Sequence, residues 1–132
     1  MSRSGYSDDL DPLAFGRWRA QVMSAIRGKR GQAFLKELAT AMDAMPEKRL
    51  IAHELVTESG EMCTIGVVCK TRGLDVSSVD LEDGEAVGNL VGIARQLAME
   101  IEYQNDEGVW FDETPEQRWT RMRAWVEEQI SK

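Results

Sequence analysis

Apolar and polar positions along the chain switch between two periods. Residues 1–11 are polar and rich in Ser and Asp, which predicts a flexible N-terminal arm. From Asp11-Pro12, an N-cap followed by proline at the first helical position, Phe15, Trp18, Val22, Ala25 and Ile26 recur at helical spacing. Gly28-Lys29-Arg30-Gly31 interrupts that stripe. A second one runs through Phe34, Leu35, Leu38, Ala41, Met42 and Met45 until Pro46, so the first third predicts an αα-hairpin with a basic turn. Two apolar stretches follow, Leu50–Val56 and Met62–Ile65, separated by the polar run Thr57-Glu58-Ser59-Gly60-Glu61. That pattern predicts a small β-hairpin.

Lys70-Thr71-Arg72-Gly73 has the cationic last turn and C′ glycine of a helix end, which predicts a short helix beginning near Cys63. Asp80 or Asp83 can cap a helix carrying Val87, Leu90, Val91, Ala94, Leu97, Ala98 and Ile101, and Gly88 and Gly92 can split it in two. Thr114-Pro115-Glu116-Gln117 holds every element of a capping box and opens a C-terminal helix with Trp119, Met122, Val126 and Ile130 on one side and Trp125 beside them. The expected fold class is therefore α+β: a mainly helical single domain spanning residues 12–132, with an N-terminal αα-hairpin, one small β-hairpin and a capped C-terminal helix.

Charge is laid out unevenly along these elements. Residues 1–49 hold nine Lys/Arg against six Asp/Glu, residues 50–116 three against fifteen, and residues 117–132 four against two, for a net charge of −7. Segregation of this kind bears on partners and association more than on fold. No apolar run reaches the roughly 18–20 residues that span a bilayer, and the N-terminus has no apolar signal core, so a cytoplasmic protein with no membrane partner is expected. Cys63 and Cys69 are six apart, which neither a helix nor a strand can bridge; buried, reduced thiols are expected.

Two charged surfaces are candidates for partners. The acidic middle offers Asp80, Glu82, Asp83, Glu85, Asp106, Glu107, Asp112 and Glu113 as a footprint that could mimic a nucleic-acid backbone or dock on a basic protein groove, with Trp110 as an aromatic anchor. The bland alternative is acidity that serves solubility alone. Arg17, Arg19, Arg27, Lys29 and Arg30, with no acid between Pro12 and Lys36, could hold a nucleic-acid backbone; otherwise they neutralise the acidic half of the same molecule. The aromatic set Trp110, Phe111, Trp119 and Trp125 would also allow a homodimer if part of it is exposed.

Candidate chemistry is sparse. His53-Glu54 begins like a zinc-protease motif, but Thr57 stands where the second histidine is required. Calcium loops centred on Gly84 or Gly108 would put Val79 and Leu90, or Tyr103 and Thr114, at the first and last ligand positions. His53, Cys63 and Asp106 are the residue types of a thiol triad, with a buried cysteine and a turn histidine as the simpler account. Without a phosphate loop, dinucleotide fingerprint or nucleophile elbow, a non-enzymatic protein with no cofactor and no metal is expected.

The segments Arg27–Leu35, Leu50–Val56, Asn105–Glu107 and Glu113–Trp119 together resemble small uncharacterised proteins encoded by temperate phages and prophages of Gram-negative bacteria. The resemblance covers most of the chain beyond the first dozen residues and carries over no catalytic residue and no cofactor. What it implies is a setting: a phage or prophage accessory protein in the host cytoplasm that modulates or inhibits a host protein or protein-nucleic-acid complex, defence systems included.

Overall fold

The computed structural model describes residues 11–109 and 112–131, which form six helices: α1 (Pro12–Arg27), α2 (Lys29–Asp43), α3 (Thr64–Arg72), α4 (Gly84–Val91), α5 (Arg95–Glu107) and α6 (Pro115–Gln129). The expected N-terminal arm lies outside the described residues, except for Asp11, whose side chain accepts a 2.7 Å hydrogen bond from the Ala14 amide and caps α1. Trp18, Val22 and Ile26, four apart, form the buried face of α1.

Gly28 alone joins α1 to α2, and the crowding this creates falls on Gly31. A Cβ at Gly31 would lie 2.0 Å from the Ala25 carbonyl oxygen, so only glycine lets the two helices meet there. Gln32 then ties the corner to the far end of the chain: its Nε2 donates to the Ile26 and Gln129 carbonyls, at 2.7 and 3.0 Å, and its Oε1 accepts from the Ser131 amide at 2.8 Å.

Helix α3 is buried continuously from Thr64 to Cys69, as a helix enclosed by others must be. It lies against the segment before it so closely that a Cβ on Gly66 would sit 1.9 Å from the Leu55 carbonyl oxygen. Its C-terminus is closed by Gly73 in the left-handed region, φ 70°. Gly92, φ 81°, likewise ends α4 and separates it from α5. Helix α5 packs against α1, α3, α4 and α6, while α2 packs against α1, α3 and α6. The core runs through both, from Phe34, Leu35, Leu38 and Met42 to Leu97, Ala98 and Ile101. Each of the larger side chains buried there contributes about 1.5–3 kcal/mol relative to exposure.

The β-hairpin expected at 50–65 does not form, and the fold class is helical, not α+β. Among the described residues β pairing is confined to one antiparallel bridge, Val56 with Met62. The physical reason is tertiary. The carbonyl of Ile51 accepts from the Asn105 side chain at 2.9 Å and that of Leu50 from Arg118 Nη1 at 3.3 Å, while the Leu50 amide donates to Pro115 O at 3.0 Å. His53 adopts φ 70°, which breaks any extended run through Ala52 and Glu54. Groups a ladder would use are thus bonded to α5, α6 and the residue that opens α6.

The capping box of α6 is present as read from the sequence: Thr114 Oγ1 accepts from the Gln117 amide at 3.1 Å and Gln117 Oε1 from the Thr114 amide at 2.9 Å. No helix among the described residues is long and apolar enough to cross a membrane.

Candidate functional site

The acidic edge is built on the turns that lead into α4. Leu74, Val76, Val79 and Leu81 are half-buried and pin this segment to the core, which turns Asp75, Asp80, Glu82, Asp83 and Glu85 outward. Three of the carboxylates are locked by local backbone bonds. Asp75 Oδ1 accepts from the Ser77 amide and hydroxyl at 2.9 and 2.7 Å, Asp80 Oδ1 from the Glu82 amide at 2.9 Å, and Asp83 Oδ1 from the Ala86 amide at 3.1 Å. The amide and hydroxyl of Ser77 hold the Asp75 carboxyl below its ordinary value. No cation among the described residues pairs with Asp75, Asp80, Asp83 or Glu85.

The rest of the sequence-derived footprint divides. Glu107 and Asp112 are exposed, but the side chains of Asp106 and Glu113 are 0% and 3% exposed and belong to internal pairs. Glu113 meets Arg118 at 3.2 Å and Arg121 at 2.8 Å, and the hydrogen bond from Arg121 holds its carboxyl below the ordinary range. Glu100 and Glu102, also in the acidic middle, are buried on α5. Trp110 and Phe111 lie outside the described residues. Trp119 and Trp125 pack half-buried against the core, and the Lys48 ammonium lies 5.6 Å from the centre of the Trp119 ring.

The basic residues of the first third do not neutralise the acidic middle as a group. Arg19 Nη1 reaches Glu100 Oε2 at 3.2 Å, whereas Arg17, Arg27, Lys29 and Arg30 are exposed and make no ion pair with the described residues. Lys29, Arg30 and Lys36 share the solvent side of α2.

His53, Cys63 and Asp106 are not assembled as a thiol triad. His53 Nδ1 stands 3.6 Å from Asp106 Oδ2, and its backbone amide donates to Asp106 Oδ1 at 3.3 Å. Cys63 is fully buried with its Sγ 3.7 Å from Glu102 Oε1; burial, then the Glu102 charge, pushes its pKa far up, the reverse of what a nucleophilic thiolate needs. Both cysteines are free, and among the described residues no three His, Cys, Asp or Glu side chains gather as a metal site would require.

One feature has no counterpart in the sequence patterns. A groove of about 490 Å³ opens between the C-terminal end of α2, the turn at 59–62 and α3. Its floor is Ala41, Met45, Ile51, Met62 and Val67, and Glu47, Arg49, Glu61 and Lys70 stand at its rim. Its lining falls within residues 41–71, from the end of α2 and the chain after it, the 59–62 turn and α3, and no sequence motif marks it.

Comparison with protein-family models, with curated proteins and with solved structures finds no match to this chain.

Proposed function

We propose that this chain is a non-enzymatic binding protein that docks on a basic surface of another protein through the edge Asp75–Glu85. In the setting implied by the phage resemblance, it is an accessory protein that occludes a host protein or protein-nucleic-acid complex. The observation that carries the reading is the outward set of carboxylates at Asp75, Asp80 and Asp83, fixed by backbone bonds and without a cation partner among the described residues. Preorganised charge of this kind loses little entropy on docking, and a net charge of −7 speeds encounter with a basic partner. Glu107, the last residue of α5, and Asp112 are exposed carboxylates too, whereas Asp106 and Glu113 are held in internal pairs.

The test is affinity capture from a Gram-negative host lysate after nuclease treatment, with the wild-type chain and a variant carrying Asp80→Asn, Glu82→Gln, Asp83→Asn and Glu85→Gln. A partner retained by the wild type, associating roughly tenfold more slowly with the variant and with a flatter salt dependence, supports the reading. A partner bound equally by both removes the acidic edge from the account.

The exposed cations Arg17, Arg27, Lys29 and Arg30, which have no counter-ions among the described residues, favour a second reading as a nucleic-acid-binding protein. The net charge of −7 weighs against it. Nucleic acid captured from lysate not treated with nuclease, with no protein partner left once nuclease is added, and its loss on Lys29→Gln and Arg30→Gln substitution, would put that reading first.

A further inference from the structure

We propose that the groove between α2 and α3 binds small aliphatic carboxylates, with the tail on Met45, Ile51, Met62 and Val67 and the carboxylate on the Lys70 ammonium. Its volume of about 490 Å³ lies in the range of small-ligand sites, and its floor is apolar, as such sites usually are. The ligand's charge follows from which rim groups already have partners. Arg49 is surrounded by the carboxylates of Glu47, Glu61 and Glu116, at 3.9, 3.9 and 3.4 Å. Ser59 bonds to Thr57 and Glu61, and the Thr71 hydroxyl donates to the Val67 carbonyl.

The end of α2 would ordinarily repel an anion through its exposed carbonyls. Here Lys48 Nζ donates to the carbonyl of Asp43, the last residue of α2, and to that of Met45 just beyond it, and masks both. Lys70 remains the one lining cation with no carboxylate partner among the described residues. It leans over the turn at 59–62, where Gly60 adopts φ 89° and a Cβ would fall 3.4 Å from Lys70 Nζ, so the ammonium stands at the groove mouth. An apolar floor with one unmatched cation at its edge selects an apolar anion over a neutral or cationic molecule of the same shape.

The experiment titrates the full chain, labelled with 13C at its methionine methyls, with octanoate, octanol and octyltrimethylammonium in turn, each below its micelle concentration. Saturable shifts of the Met45 and Met62 methyls with octanoate, at lower concentration than with the other two, are the expected result. Lys70→Gln should weaken octanoate roughly threefold to tenfold and leave octanol unchanged, because the exposed lysine contributes charge and not packing. Absence of saturable shifts at both methyls, equal binding of the cationic probe, or octanoate binding unaffected by Lys70→Gln would each overturn the proposal.

Discussion

Asn105 Oδ1 accepts both the backbone amide and the hydroxyl of Thr64, at 3.1 and 2.7 Å, so the first turn of α3 is capped from α5 and not by its own N-cap residue, Cys63. Asn105 Nδ2 donates to the Ile51 carbonyl at 2.9 Å and to Asp106 Oδ1 at 2.7 Å, and its own carbonyl accepts from Arg118 Nε at 3.0 Å. One buried amide thus joins α3, the 50–56 segment, α5 and, through its backbone, α6.

Asn105→Ala should therefore destabilise the protein by about 2–4 kcal/mol, because it leaves several buried donors and acceptors without partners. Urea unfolding monitored by circular dichroism measures this. A loss under about 1 kcal/mol would mean that water replaces the amide and that the junction is not dry.

Gly31 and Gly16 should respond to alanine in opposite directions. At Gly31 the new methyl meets the Ala25 carbonyl at 2.0 Å, and a loss of about 2–4 kcal/mol is expected from the forced separation of α1 and α2. Gly16 lies inside α1 with nothing within 4 Å, so alanine there should add about 0.5–1 kcal/mol. Melting temperatures of the two variants, compared with wild type, decide both.

Glu113 sets a pH dependence whose sign is fixed by its pairs with Arg121 and Arg118. Its pKa is lower in the folded chain than the ordinary 4.5, so its contribution is present above that value and is lost as pH falls through the folded pKa. Glu113→Gln should cost about 1–3 kcal/mol at pH 7, and the gap to wild type should close as pH falls below the ordinary value. A gap that stays constant down to pH 3 would assign the effect to packing.

Both thiols should resist alkylation in the folded protein. Cys63 is buried with its pKa far up, and burial pushes Cys69 up to about 11. Iodoacetamide labelling read by mass spectrometry should be negligible in native buffer and complete in urea. Rapid labelling of Cys63 without urea would restore the thiol-enzyme alternative.

What could be read from the sequence was what local chemistry decides. Asp11-Pro12, Asp83, Gly73 and the Thr114–Gln117 box mark helix ends within a few residues of the groups they bond, and each stands at a helix end in the structure. Leu50–Val56 and the Gly60 turn are sound local signals for a hairpin, and tertiary bonds override them. Asn105, Arg118 and Pro115, more than fifty residues away, take the backbone groups a strand would need. Composition also counted Asp106 and Glu113 as surface charge, since the cations that bury Glu113 lie on the following helix. Asp75 belongs to the acidic middle, and the spacing Asp75-Val76-Ser77 is that of a side-chain turn, which the structure forms. The groove, drawn from three separate segments, left no trace at all in the order of residues.

The missing hairpin has a consequence for solution behaviour. A two-stranded hairpin would have offered a row of unpaired amides and carbonyls, the template on which a second chain adds as another strand. In this chain the Leu50 and Ile51 carbonyls are already bonded to Arg118 and Asn105, and Gly66 presses α3 onto the Leu55 carbonyl. The side chains that dismantle the sheet therefore also seal the most strand-like stretch of the molecule against strand-by-strand aggregation.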